Sequence, residues 1–140
     1  MSFHEKSNIA MLAIVAGVFG WYFAGVLPHF GALEAPPPAA FGGLLVFLTL
    51  LLIALSIVAH VAIKIFAMKE SDNADERDRL IEMRADARAG YVLAAGVFGA
   101  IALTVMDVAP FWSANALLAA LVLSELTKGV LRAWAYRFGG

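Results

Sequence analysis

Lys69-Glu70-Ser71-Asp72-Asn73-Ala74-Asp75-Glu76-Arg77-Asp78-Arg79-Leu80-Ile81-Glu82-Met83-Arg84-Ala85-Asp86-Ala87-Arg88 is the one long polar stretch of this chain, and long apolar segments flank it on both sides. Over the whole chain 62 % of residues are hydrophobic and 15 % charged, with a mean hydropathy of +0.84. A soluble domain carries roughly 45–50 % apolar and about 25 % charged residues. The excess of apolar residues places the chain in a lipid bilayer, and the polar stretch divides it into two apolar halves.

Working outward, the half before the stretch holds two uncharged runs. The first extends from Ile9 to Leu27, where Pro28 ends it, and exceeds the about 7–15 residues of a signal-peptide core. Ala32-Leu33-Glu34-Ala35 is no small-x-small cleavage site, so a retained span over residues 9–27 is expected. His29 to Pro38, with Gly31 and Pro36-Pro37-Pro38, cannot continue a helix and forms a short, stiff connection. The second span covers residues 39–66 and is uncharged up to Lys64, with His60 as an ionisable interruption. Beyond the stretch, residues 89–106 form the third span. Asp107-Val108-Ala109-Pro110 is a tight turn, and 110–133 the fourth span, with Pro110 suited to its first turn. The fold class is therefore all-α: a polytopic membrane protein with four transmembrane helices in two hairpins.

Placement of Lys and Arg sets the orientation. All ten lie before span one (Lys6), between spans two and three (Lys64, Lys69, Arg77, Arg79, Arg84, Arg88) or at the end (Lys128, Arg132, Arg137). The two opposite loops carry none, so both termini and the connection 69–88 are expected in the cytoplasm. Trp21, Tyr22, Phe30, Phe111 and Trp112 then cluster toward the outer ends of the spans, and Tyr91, Trp134 and Tyr136 toward the inner ends, as interfacial aromatic belts do.

The polar stretch reads as a helix running into span three. Asn73 can cap it, with Glu76 completing a capping-box-like pattern, and neither Gly nor Pro intervenes before Gly90. Leu80, Met83, Ala87 and Tyr91 share one face, and Asp75 and Arg79 form an i,i+4 pair. Arg77, Arg79, Arg84 and Arg88 interleave with Asp72, Asp75, Glu76, Asp78, Glu82 and Asp86, and no calcium-loop glycine is present, so a metal site is not expected here. A solvated, salt-bridged surface is the plain reading. The partner-docking candidates are Asp75, Glu76, Arg77, Asp78, Arg79, Glu82 and Arg84.

Ionisable groups inside spans face the bundle interior and take partners. His60 and Glu125 sit at similar depths, Lys64 is at i+4 from His60, and Lys128 is at i+3 from Glu125. The spacing predicts a polar cluster of His60, Lys64, Glu125 and Lys128 between spans two and four. Such a cluster serves as a structural lock or, in the alternative, as part of an ion or proton relay. Ala16-Gly17-Val18-Phe19-Gly20 recurs as Ala95-Gly96-Val97-Phe98-Gly99. This marks Gly17, Gly20, Gly96 and Gly99 for close helix packing and hints at an internal duplication.

The sequence offers little enzyme chemistry. It contains no cysteine, phosphate loop, nucleophile elbow or His-Glu-x-x-His pair, and His4, His29 and His60 are dispersed. A non-enzymatic protein without cofactor is expected. A net charge of −1 gives no basis for direct nucleic-acid binding. The expected partners are the lipid bilayer and a protein partner or further copies of the chain.

Asp75-Glu76-Arg77-Asp78-Arg79-Leu80-Ile81-Glu82-Met83-Arg84, Gly90-Tyr91-Val92-Leu93, Pro110-Phe111-Trp112-Ser113-Ala114-Asn115 and Ser124-Glu125-Leu126-Thr127-Lys128-Gly129 resemble a group of small, uncharacterised bacterial four-span inner-membrane proteins. The similarity covers Asp75 to Arg137. Members are often encoded beside helix-turn-helix regulators, so the resemblance implies an inner-membrane location and a sensor or anchor role. It supplies no catalytic residues.

Overall fold

The computed structural model describes residues 3–26, 28, 35–67 and 76–138, with side chains for all of these except 3–7, 60, 63, 64, 66, 67 and 76–78. It consists of four helices: α1 (Phe3–Val26), α2 (Pro38–Ala67), α3 (Glu76–Val105) and α4 (Pro110–Phe138). Each contains a stretch long and apolar enough to cross a membrane. The chain is a multi-pass α-helical membrane protein. The proposed Asn73 cap, with Asp75, lies outside the described residues. From Glu76 on, charged extension and span form one unbroken helix.

Local chemistry explains the helix ends. Pro38, read from the sequence as linker, is the first residue of α2, where its missing N–H leaves no helical bond unmade. At the end of α3 the Val108 N–H donates to the Leu103 carbonyl (3.0 Å) and the Asp107 N–H to the Thr104 carbonyl (3.1 Å). This is the paired 6→1 and 5→2 pattern of a Schellman cap. Asp107 occupies its left-handed position with φ of 57°. Asp tolerates that region better than most residues because its short side chain can bond locally. The chain then reverses, and Pro110 starts α4.

The helices are not packed symmetrically. α4 touches all three others, whereas among the described residues α3 approaches α4 alone. Val15, Phe19 and Tyr22 of α1, Leu45, Leu48 and Leu52 of α2, and Leu118 and Val122 of α4 form the core. α3 lies on the opposite side of α4, burying Ile81, Ala85, Ala89 and Ala100. Apart from Ile81 these are small side chains, which let two backbones come close where lipid supplies no hydrophobic driving force between helices.

Gly96 marks the tightest approach: a Cβ there would overlap the Cβ of Ala120 and stand 3.1 Å from its Cα. Gly17, Gly20 and Gly99, expected from spacing to pack in the same way, have open space at the corresponding point. Gly129 instead marks the α1 crossing, where a Cβ would meet Leu12 Cδ2 at 2.5 Å. The repeated pentapeptide explains the difference. In α1 it is rotated so that Phe19 is fully buried; in α3 it is rotated the other way, with Gly96 against α4 and Phe98 74 % exposed. The two copies hold non-equivalent places in the fold.

The aromatic residues also divide. Trp21, Tyr91 and Trp134 are exposed, as interfacial residues are, but Tyr22 and Phe111 are buried in the bundle. Phe30 lies outside the described residues.

Candidate functional site: a polar seam along α4

α4 presents polar groups to neighbours on two sides. Toward α1, the Tyr22 hydroxyl donates to Asn115 Oδ1 (2.8 Å), and Asn115 Nδ2 donates to the Phe111 carbonyl (2.8 Å). Nearer the other end, Asn8 Nδ2 donates to the Gly129 carbonyl across the close α1–α4 crossing (2.8 Å). Toward α3, the Ser124 hydroxyl donates to the Ala89 carbonyl (2.9 Å). Thr104 Oγ1, which donates to the Ala100 carbonyl, lies 3.2 Å from Ser113 Oγ. Inside a bilayer an unmade polar bond is costly, so these pairs fix the rotations of α1, α3 and α4 against one another.

The seam ends in an ion-pair ladder between α3 and α4. Lys128 Nζ stands 2.8 Å from Asp86 Oδ1, and Arg132 Nη2 stands 3.2 Å from Glu82 Oε1 and 3.4 Å from Asp86 Oδ1. Arg132 is 7 % exposed, which for a guanidinium requires compensation by charge, and the two carboxylates supply it. Among the described residues its buried Nε has no hydrogen-bond partner. Asp86 and Lys128 stand equally far in sequence from the turn residue Asp107, as do Glu82 and Arg132. An antiparallel hairpin about that turn therefore brings both pairs face to face.

Lys128, expected to join Glu125 with His60 and Lys64 of α2, also pairs with Asp86 of α3. Glu125 lines an open cleft of about 480 Å³ where α1, α2 and α4 meet, together with Asn8, Ser56, Lys128 and Arg132. The His60 and Lys64 side chains lie outside the described residues. Of the docking candidates, Arg79 and Arg84 are exposed, while Glu82 is turned to Arg132. Asp75 and the side chains of Glu76, Arg77 and Asp78 lie outside the described residues. Asp86, Arg132, Asn8 and Gly129 were not singled out as a site by sequence reasoning. The signal available for the ladder was the matched four-residue spacing of two acids and two bases about Asp107.

Chemically, the ladder neutralises charge and joins two helices. Among the described residues no three His, Asp or Glu side chains converge as metal ligands. Fold and seam together define an α-helical membrane bundle built around its fourth helix. No family model, curated protein or solved structure matches the chain.

Proposed function

We propose that this is a non-enzymatic inner-membrane protein of bacterial type, with both termini and the charged connection in the cytoplasm, acting as a regulatory or accessory subunit. One observation carries this reading. In the charged extension of α3, Leu80 and Met83 are 50 % and 60 % exposed on the face turned away from α4, while Glu82 and Asp86 clamp the opposite face. At that level the neighbours are Arg79, Arg84 and Arg88, so the two apolar side chains meet water or another protein, and a rigid apolar patch with a charged rim fits a protein partner. Because Glu82 and Asp86 are turned to α4, the exposed rim among the described residues is basic, and the fitting partner is apolar at its centre and acidic around it. A second copy packed in parallel along this face would set Arg79 beside Arg84, which favours a different protein.

A photo-crosslinking residue at Met83 should capture a defined protein in intact membranes, whereas one at the lipid-facing Ile57 should not. Leu80→Glu with Met83→Glu should abolish the capture while leaving the thermal midpoint unchanged. Capture of lipid alone from position 83 would overturn the reading. The chain has no cysteine, so single cysteines at Met83 and Ala35 test orientation. An impermeant thiol reagent added to intact cells should label position 35 and spare position 83.

A second reading, a small oligomeric ion or proton conductor, is favoured by the presence of Glu125 in the cleft with Asn8 and Ser56. Toward the other end of the bundle the cleft gives way to the fully buried Phe19 and Leu118, so a path would have to run between copies. Flux in liposomes that Glu125→Gln abolishes supports it; flux unaffected by that change removes it.

A further inference from the structure

The groove between α3 and α4 at the charged end of the molecule spans about 600 Å³ open to solvent, lies outside the polar seam and borders the Leu80–Met83 face through Arg84 and Arg88. Its floor is apolar: Ile81, Ala85, Leu131 and Ala135. Its rim carries Arg84 and Arg88, one helical turn apart on α3, facing Trp134 of α4. Both arginines are exposed, and among the described residues neither has a carboxylate partner, because the nearby acids Glu82 and Asp86 are turned to Lys128 and Arg132. Trp134 is 64 % exposed.

The groove also lies at a particular depth. Just membrane-ward of it, Ser124 meets Ala89, and the ladder from Asp86 to Arg132 runs beside it. This is the level at which the apolar part of α3 ends. Two guanidinium groups there, with an exposed indole across from them, combine a phosphate-binding pair with an interfacial anchor. Ala95 and Gly99 follow Arg84 and Arg88 at helical spacing on the same side of α3 and are exposed. A Cβ at Gly99 would meet nothing within 4 Å, and the exposed Tyr91 stands between Arg88 and Ala95 on that side, where an acyl chain would lie against its ring.

We infer that this groove binds an anionic phospholipid, its headgroup phosphate between Arg84 and Arg88, its glycerol region against Trp134, and an acyl chain along the Ala95–Gly99 side of α3. This gives Arg84 and Arg88 a lipid-binding role apart from their place in the basic rim proposed above. A bound lipid would neutralise the two cations that the ion-pair ladder leaves uncompensated and would bridge the hairpin at its open end.

The test is native mass spectrometry of the full chain released from mixed phosphatidylglycerol and phosphatidylcholine nanodiscs. Phosphatidylglycerol should remain bound in preference to phosphatidylcholine. Arg84→Ala with Arg88→Ala should reduce its retention about twenty- to thirtyfold, from the attraction usual for two basic residues at an anionic surface. Should the double alanine variant fail to fold, Arg84→Lys with Arg88→Lys keeps the charge and loses the bidentate geometry, and should retain the preference at reduced strength. Inorganic phosphate and glycerol 3-phosphate at millimolar concentration should not displace the lipid, since neither fills the apolar floor. Equal retention of the two lipids, undiminished retention in the double alanine variant, or displacement by phosphate alone would each overturn the inference.

Discussion

Asp86 accepts from two cations on α4, Lys128 and Arg132, whereas among the described residues Glu82 receives only Arg132. The two carboxylates are about equally exposed, 50 % and 44 %, so solvent screens them alike and the number of partners decides their relative weight. Asp86→Asn should lower stability by about 1–2 kcal/mol and Glu82→Gln by less than about 1 kcal/mol. Thermal unfolding in mild detergent checks this, and equal shifts would contradict the ladder as described. Tyr22→Phe tests the other end of the seam. It removes the donor to the buried Asn115 Oδ1 while keeping the ring, and should cost about 0.6–1.5 kcal/mol in the same assay. The partners of Lys128 show how far single-chain spacing reaches. Within its own helix the nearest opposite charge is Glu125, the pairing that i,i+3 spacing predicts. The pairing with Asp86 becomes visible only once the hairpin and its turn are set.

At the scale of elements, the number and kind of helices were legible because hydropathy over about 20 residues is a property of composition, which no packing detail can override. Which face of each helix points inward was much less legible. Ala-Gly-Val-Phe-Gly is identical in α1 and α3, yet the bundle buries Phe19 in one copy and Gly96 in the other. In hydrocarbon both lipid-facing and buried residues are apolar, so the amphipathic contrast that orients a soluble helix is weak, and small residues alone mark several faces at once. The polar contacts of Asn8, Asn115 and Ser124 settle the rotation. A substitution series follows from this. Gly96→Ala should destabilise by about 1–3 kcal/mol, since its methyl meets Ala120 backbone as well as side chain. Gly129→Ala should cost less, because it meets the movable end of Leu12. Gly17→Ala should be neutral or stabilising by up to about 1 kcal/mol, through helix propensity alone. Melting curves of the three single variants in one detergent provide the comparison, and a loss at Gly17 equal to that at Gly96 would refute the assignment of the close crossing.

On the scale of the whole molecule, the charged connection read from the sequence as a divider of two halves also serves as a brace. Among the described residues its Glu82 and Asp86 hold α3 to α4, while Arg79, Arg84, Arg88 and the Leu80–Met83 patch face outward. Function was less legible than fold for the same reason. The sequence shows that charge is present, and only the packing shows which charges are satisfied within the chain and which are left for a partner or a lipid.

That α4 is the hub has a consequence for how the protein is made. It is the last of the four helices to leave the ribosome, yet Phe19 of α1, Leu48 of α2 and Ala89 of α3 all rest on the part of the fold it completes. Until it is inserted, among the described residues α3 has no neighbouring helix, and α1 and α2 have only each other. A chain stopped at Ala109 should therefore remain a set of loosely associated spans and be cleared by membrane proteases several-fold faster than the full chain, a difference that pulse-chase labelling would measure. Supplying residues 110–138 as a separate peptide should slow its clearance. Translation thus delays the closing of the bundle until its fourth helix emerges, and quality control can judge the protein by whether that one helix has arrived.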